Sequence, residues 1–287
     1  MPRSLTSAPT VTPLRLTPRV LDGDLLNQIT QLEAQMPRAN SQGFVVPADA
    51  EKTAFAEIVK NLEAGEIDRA GGRAAENDYE LVRYTDRGDA HAISWLLRES
   101  KPIRKGWGLY AIRQNAAQDV IVEAPHPLAD EETPAIAARL YRALQARALL
   151  IAGAHRNANV DGTADAAHDA QTIFEALHES LTKSDSTVIV QIHGFAADKH
   201  PGYPQMVLGH DEAKADGVLE KLADTLRRKG VRVGICDGRS WTELCGEENI
   251  QSRHNGPAIF IHLELAESVR AKPDVLIAAF KEVLTGH

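Results

Sequence analysis

Three short stretches of this sequence place imidazoles and carboxylates where apolar runs stop. In Glu123-Ala-Pro-His126-Pro-Leu-Ala-Asp130 a histidine and an acid lie four positions apart, just after the run Gln118–Glu123. In a tight loop both side chains can face one cation, and imidazole nitrogen with carboxylate oxygen is a donor set that zinc accepts. The alternative for this segment alone is a solvated loop histidine. The run Thr187–Ile192 ends at His193-Gly194, which brings a second imidazole to a strand end; the alternative is a histidine that caps its strand with one hydrogen bond. Two histidines and one acid leave a position open on a four-coordinate zinc ion, the pattern of a catalytic rather than a structural site. In Ile259-Phe-Ile-His262-Leu-Glu264-Leu265, strand alternation puts His262 and Glu264 on one face. An acid in so apolar a run needs a partner or a chemical role. That role is general base toward an attacking water; the alternative is an ion pair with an arginine such as Arg270. Arg156, in Ala-His155-Arg156, follows another apolar run, where its planar fork can hold a carboxylate or steady an oxyanion. Asp165 and His168 come next, either as groups supporting the site or substrate, or as an exposed helix start.

For these groups to meet, their runs must be strands of one sheet whose ends share an edge. The pattern predicts helices over about 24–35, 48–62, 134–147, 164–181, 212–229 and 273–284. Strands are expected over 80–84, 148–152, 187–192, 231–236 and 258–265. Runs 108–113 and 118–123 read as a hairpin turning at Asn115, and 64–77 as a hinge or long loop. Thr133 is expected to cap a helix that has Pro134 in its first turn. Such alternation predicts an α/β fold, with a mixed, mostly parallel sheet and helices on both faces. Reactive side chains then gather at the strand ends. Residues 1–75 read as an N-terminal arm, irregular to about residue 20, and a helical extension; residues 76–287 read as the catalytic domain.

The chain has 287 residues, 43% of them hydrophobic, enough for a two-sided core. A net charge of -8 and a pI near 5.8 give no drive toward nucleic acid or an anionic membrane. No run approaches the ~20 apolar residues of a membrane span. Without a leader the chain reads as cytoplasmic, although a secreted protein trimmed of its leader would look the same. Cys236 and Cys245 fit unpaired thiols of a reduced enzyme better than a disulfide scaffold. There is no G-x-S-x-G elbow and no P-loop. Oligomeric state leaves no trace in the sequence.

The segments Ala-Pro-His126…Asp130-x-x-Thr133, Ala-His155-Arg156, Ile-His193-Gly194 and His-Leu-Glu264-Leu-x-x-x-Val-Arg270 resemble those of zinc carboxypeptidase-fold hydrolases. The nearest branch holds poly-γ-glutamate hydrolases and N-formylglutamate amidohydrolases. The resemblance covers about Trp107 to Arg270. It implies one zinc ion on His126, Asp130 and His193, Glu264 as base and Arg156 as electrostatic partner. It also implies a small or peptide-like substrate that carries a carboxylate. Pro127-Leu128 stands where the poly-γ-glutamate enzymes have Gly-Gly, and Asp130 where they have Glu, so Glu131 is a rival ligand. Asp130 is preferred because it precedes Thr133 by three positions. Two other functions remain open: a non-catalytic binding module that keeps the fold, and metal-dependent hydrolysis of a non-amide bond such as a phosphate ester.

Overall fold

The computed structural model describes residues 18–210 and 216–286, so the expected irregular arm falls almost wholly outside the described residues. In chain order the elements are β1 (Arg19–Gly23), α1 (Leu25–Glu33), α2 (Asp49–Glu63), α3 (Ile67–Ala75), β2 (Tyr79–Asp86) and β3 (Ala92–Glu99). Next come β4 (Leu109–Arg113), β5 (Gln118–Ala124), α4 (Thr133–Leu144), β6 (Ala146–Ile151), α5 (Ile173–Leu181), β7 (Val188–Phe195) and β8 (Met206–His210). The last are α6 (Asp216–Arg228), β9 (Val233–Ile235), α7 (Ile250–His254), β10 (Ile259–Ala266), α8 (Glu267–Arg270) and α9 (Asp274–Thr285).

Among the described residues these strands form one ten-stranded sheet, in the order β1-β2-β3-β4-β6-β5-β7-β10-β8-β9. Five of its nine pairings are parallel, so the sheet is mixed and mostly parallel, as expected. The central strands β5, β7 and β10 are parallel neighbours. Their β-branched runs are buried on both sides, the usual state of strands that helices cover on both faces. On one face Val122, Val190, Ile192, Ile261 and Leu263 pack against α1, α4, α6 and α9. On the other, Ile121, Ile189 and Phe260 pack against α2, α3 and α5. Burying each such side chain contributes ~1.5–3 kcal/mol. Alternation continues the second face into Glu123, Gln191, His193, His262 and Glu264, where the strands end. The chain leaves β5 for β6 on one side and then crosses to β7 on the other. The winding therefore reverses at the ends of β5 and β7, where open α/β sheets bind ligands.

Several expectations are corrected. β4 and β5 are no hairpin: β6 lies between them, antiparallel to β4 and parallel to β5. Asn115 does take a positive φ of 54°, but the turn redirects the chain without pairing its arms. The segment expected as hinge or loop contains α3, whose Ala70 and Ala74 are buried against α2 and β2. The helix expected from residue 164 begins only at Ile173, capped by Thr172, and β1, β3, β8 and α7 were not foreseen. Thr133 is the first residue of α4 and donates its hydroxyl to the Asp130 carbonyl at 2.7 Å instead of capping the helix. Cys236 and Cys245 are joined in a disulfide. The bond closes the excursion between β9 and α7, which returns beside β8 and so brings the second thiol to the first.

Candidate metal centre

The loop after β5 turns back at once, because the amides of Ala129 and Asp130 both donate to the His126 carbonyl, at 3.2 and 2.9 Å. That turn, with the Thr133 hydroxyl on the Asp130 carbonyl, swings the Asp130 carboxylate under His126. His193 arrives from the adjacent strand. The Nδ1 atoms of His126 and His193 are 3.2 Å apart, and Asp130 Oδ2 lies 3.3 Å from the first and 3.4 Å from the second. All three residues are buried.

The remaining nitrogens decide what this triangle is. His126 Nε2 faces Asp165 Oδ1 at 2.7 Å, and His193 Nε2 faces Gln191 Oε1 at 3.0 Å. Each of those oxygens accepts a hydrogen bond from its imidazole N–H, which leaves a lone pair on both Nδ1 atoms. Two lone pairs and a carboxylate oxygen then converge, with only the Arg156 Nη1 reaching His126 Nδ1 at 3.5 Å, and a cation resolves the repulsion. A tetrahedral ion bound at about 2.0–2.1 Å needs donors about 3.3–3.4 Å apart, and the observed edges fit. Imidazoles oriented by a carboxylate and an amide oxygen are also the usual surroundings of metal-ligating histidines.

The charges agree. Burial holds the His193 imidazole down to about 4, so it is neutral at pH 7. Burial acts downward on His126 too, but the Asp130 and Asp165 carboxylates beside it outweigh burial and raise that group. Burial would raise Asp130, yet the two imidazoles that face its carboxylate hold it well below the ordinary range.

Around the triangle lies a polar cavity of about 320 Å³, lined by Arg156, His168, His262, Glu264 and the segment Thr242–Asn249. Register puts Glu264 opposite His193 on β10. One Glu264 oxygen is buried with no hydrogen-bond partner, and burial, together with the Asp130 charge, pushes the carboxyl well above the usual range. The alternative partner is absent: Arg270 donates to the carbonyls of Phe195 and Leu265 instead. Arg156 Nη2 is fixed by Asp165 Oδ2 at 2.7 Å, with about a third of the side chain exposed beside His126. Glu131 is exposed and lines a different cavity, away from the histidines.

The structure thus brings together His126, Asp130, His193, Glu264 and Arg156. It also recruits two residues whose part the sequence left undecided. Asp165 orients His126, and the His262 ring lies beside that of His193, tilted by 38° with ring centres 4.7 Å apart. Gln191 and Asn249 were missed. His126, Asp165 and His168 form a second candidate cluster, but the Arg156 guanidinium already neutralises Asp165 there.

No protein-family model matches the chain, and a search of the curated proteins finds no match. Among solved structures, the fold is similar to that of a bacteriophage poly-γ-glutamate hydrolase, 14% identical over 61% of this chain and 84% of that one, with a TM-score of 0.40. It is similar also to an N-formylglutamate amidohydrolase from Ralstonia eutropha, 11% identical over 62% and 97% of the two chains, TM-score 0.38. A metallo-carboxypeptidase from Pseudomonas aeruginosa is 14% identical over 69% and 62%, TM-score 0.39.

Proposed function

We propose that this chain is a zinc-dependent hydrolase of amide bonds that lie next to a carboxylate. The observation that carries the reading is the triangle of bare donors, with edges of 3.2–3.4 Å, facing the same cavity as an unpartnered acid. His126 Nδ1, His193 Nδ1 and Asp130 Oδ2 would hold the ion beside the cavity. When bound, zinc polarises a carbonyl and makes water acidic enough to lose a proton near neutrality.

Glu264 takes that proton and returns it to the leaving amine. Burial raises its affinity for protons, which strengthens the ionised carboxylate as a base. Arg156, pinned by Asp165 in the cavity lining, holds the substrate carboxylate or the developing oxyanion. The substrate is a small or peptide-like molecule. The disulfide fits an oxidising compartment better than a reducing cytoplasm.

The test is elemental analysis together with a panel of N-acyl amino acids and short peptides, each with a free or an amidated carboxylate. The wild type should carry one zinc per chain and cleave the free acids preferentially. His126→Ala should lose both zinc and activity; full zinc occupancy in that variant would overturn the ligand assignment.

A further inference from the structure

Behind His193, on the side away from the cavity, a chain of polar side chains runs through the core. Glu123, His178, Gln191 and Gln251 have no solvent exposure, and Glu175 has 2%. Register places Glu123 on β5 beside Gln191 on β7. Gln191 Nε2 donates to Glu123 Oε2 at 3.0 Å and to Gln251 Oε1 at 3.1 Å. The other Glu123 oxygen meets His178 Nδ1 at 2.7 Å. The Gln251 amide is itself fixed, because its nitrogen donates to the Ala166 carbonyl and to Glu175 Oε2.

This arrangement allows Gln191 one orientation. An ionised carboxylate only accepts, and Gln251 presents its oxygen, so the Gln191 nitrogen must face both. Turned the other way, three acceptor oxygens would meet in a dry core, at the cost of an unsatisfied buried group. The Gln191 oxygen therefore faces Asn249 Nδ2 at 2.6 Å and His193 Nε2 at 3.0 Å. An oxygen at that distance calls for a proton on Nε2, and a neutral imidazole with a proton there has none on Nδ1.

We propose that Glu123, acting through Gln191, selects the His193 tautomer that leaves Nδ1 bare toward the cluster. Glu123 is a positioning residue: it touches neither the cavity nor His193. The inference rests on the metal reading above only in what Nδ1 is bare for. His126 gets the same instruction directly from Asp165, while His193 receives it through an amide relay.

Long-range proton–nitrogen correlation spectra of the full-length chain after chelation read each imidazole's tautomer. Wild-type His193 should show a protonated Nε2 and a bare Nδ1. Glu123→Gln replaces the acceptor with an amide that can present either end, which releases Gln191. His193 should become a mixture of tautomers, and zinc affinity, measured by competition with a chromophoric chelator, should fall roughly 10- to 100-fold. His126 should keep its spectrum.

A wild-type His193 protonated on Nδ1, with Asn249 donating to a bare Nε2, would overturn the proposal; that contact is 3.2 Å. So would a Glu123→Gln spectrum identical to the wild type. The wild-type spectrum decides even where no variant folds. It needs no metal, so a wild-type chain that binds no zinc would sink the metal reading and leave this one standing.

Discussion

Glu264 sits where two demands conflict: burial favours its neutral acid, and its proposed role requires the anion. A neighbouring cation would offset the Asp130 charge and ease the conflict, which ties the base to occupancy of the triangle. Glu264→Gln keeps the size and removes the proton acceptor. It should retain zinc and lose ~10²–10⁴-fold in turnover; steady-state rates close to wild type at unchanged zinc content would remove Glu264 from the mechanism. His126, His193 and Glu264 stood out in the sequence because each follows or breaks an apolar run with a group that is costly to bury alone, and Asp130 because it lies four positions from His126. Gln191 breaks such a run too, between Val190 and Ile192, but a side-chain amide has many possible partners and no diagnostic spacing. Glu123 and Asn249 acquire their meaning from Gln191, which lies 68 and 58 positions from them, and from its amide geometry, which no local pattern encodes.

At the scale of elements, the segment between β9 and α7 forms one wall of the cavity, and its position is overdetermined. The disulfide ties it to the end of β9. Gly209 on β8 lets the Cys245 backbone pack where any side chain would collide. Gly246, at φ 72°, lies against the His262 ring, which a Cβ would approach to 2.5 Å. Replacing both cysteines by serine removes the tie and leaves the triangle untouched. KM should rise by roughly tenfold, as the wall's lost order is repaid on binding, with zinc content unchanged. An unaltered KM would show that the glycine contacts suffice. The wall was invisible in the sequence because two thiols nine apart pair or stay free according to the path between them. The expected hairpin failed for a related reason. Runs separated by a short turn usually pair, but here β6 lies between the two and pairs with both.

For the molecule as a whole, α2 and α3 contribute to the same core as the central strands. Phe55 is wholly buried and meets Tyr79 and Trp107 edge-on, at 4.8 and 5.9 Å between ring centres. Phe55→Ala should cost about 3–5 kcal/mol in denaturant unfolding, with one transition for the whole chain. A separate early transition would mark residues 1–75 as an independent unit. The alternation of helix and strand, and the two-faced burial of the middle strands, were legible from residue periodicity; the edge strand β1 and the strand β8, which lies between β10 and β9, were not. The bare donor triangle also has a thermodynamic face. The unfolded chain scatters these three groups, so an ion that fits them binds only the native state and holds it together, by about 2.7 kcal/mol at a hundredfold excess over Kd. Heating chelated protein with one metal salt at a time should therefore rank zinc, cobalt, manganese and calcium by the rise in melting midpoint, with zinc or cobalt first and calcium last. The fold itself then serves as the indicator, and names its preferred ion before any substrate has been found.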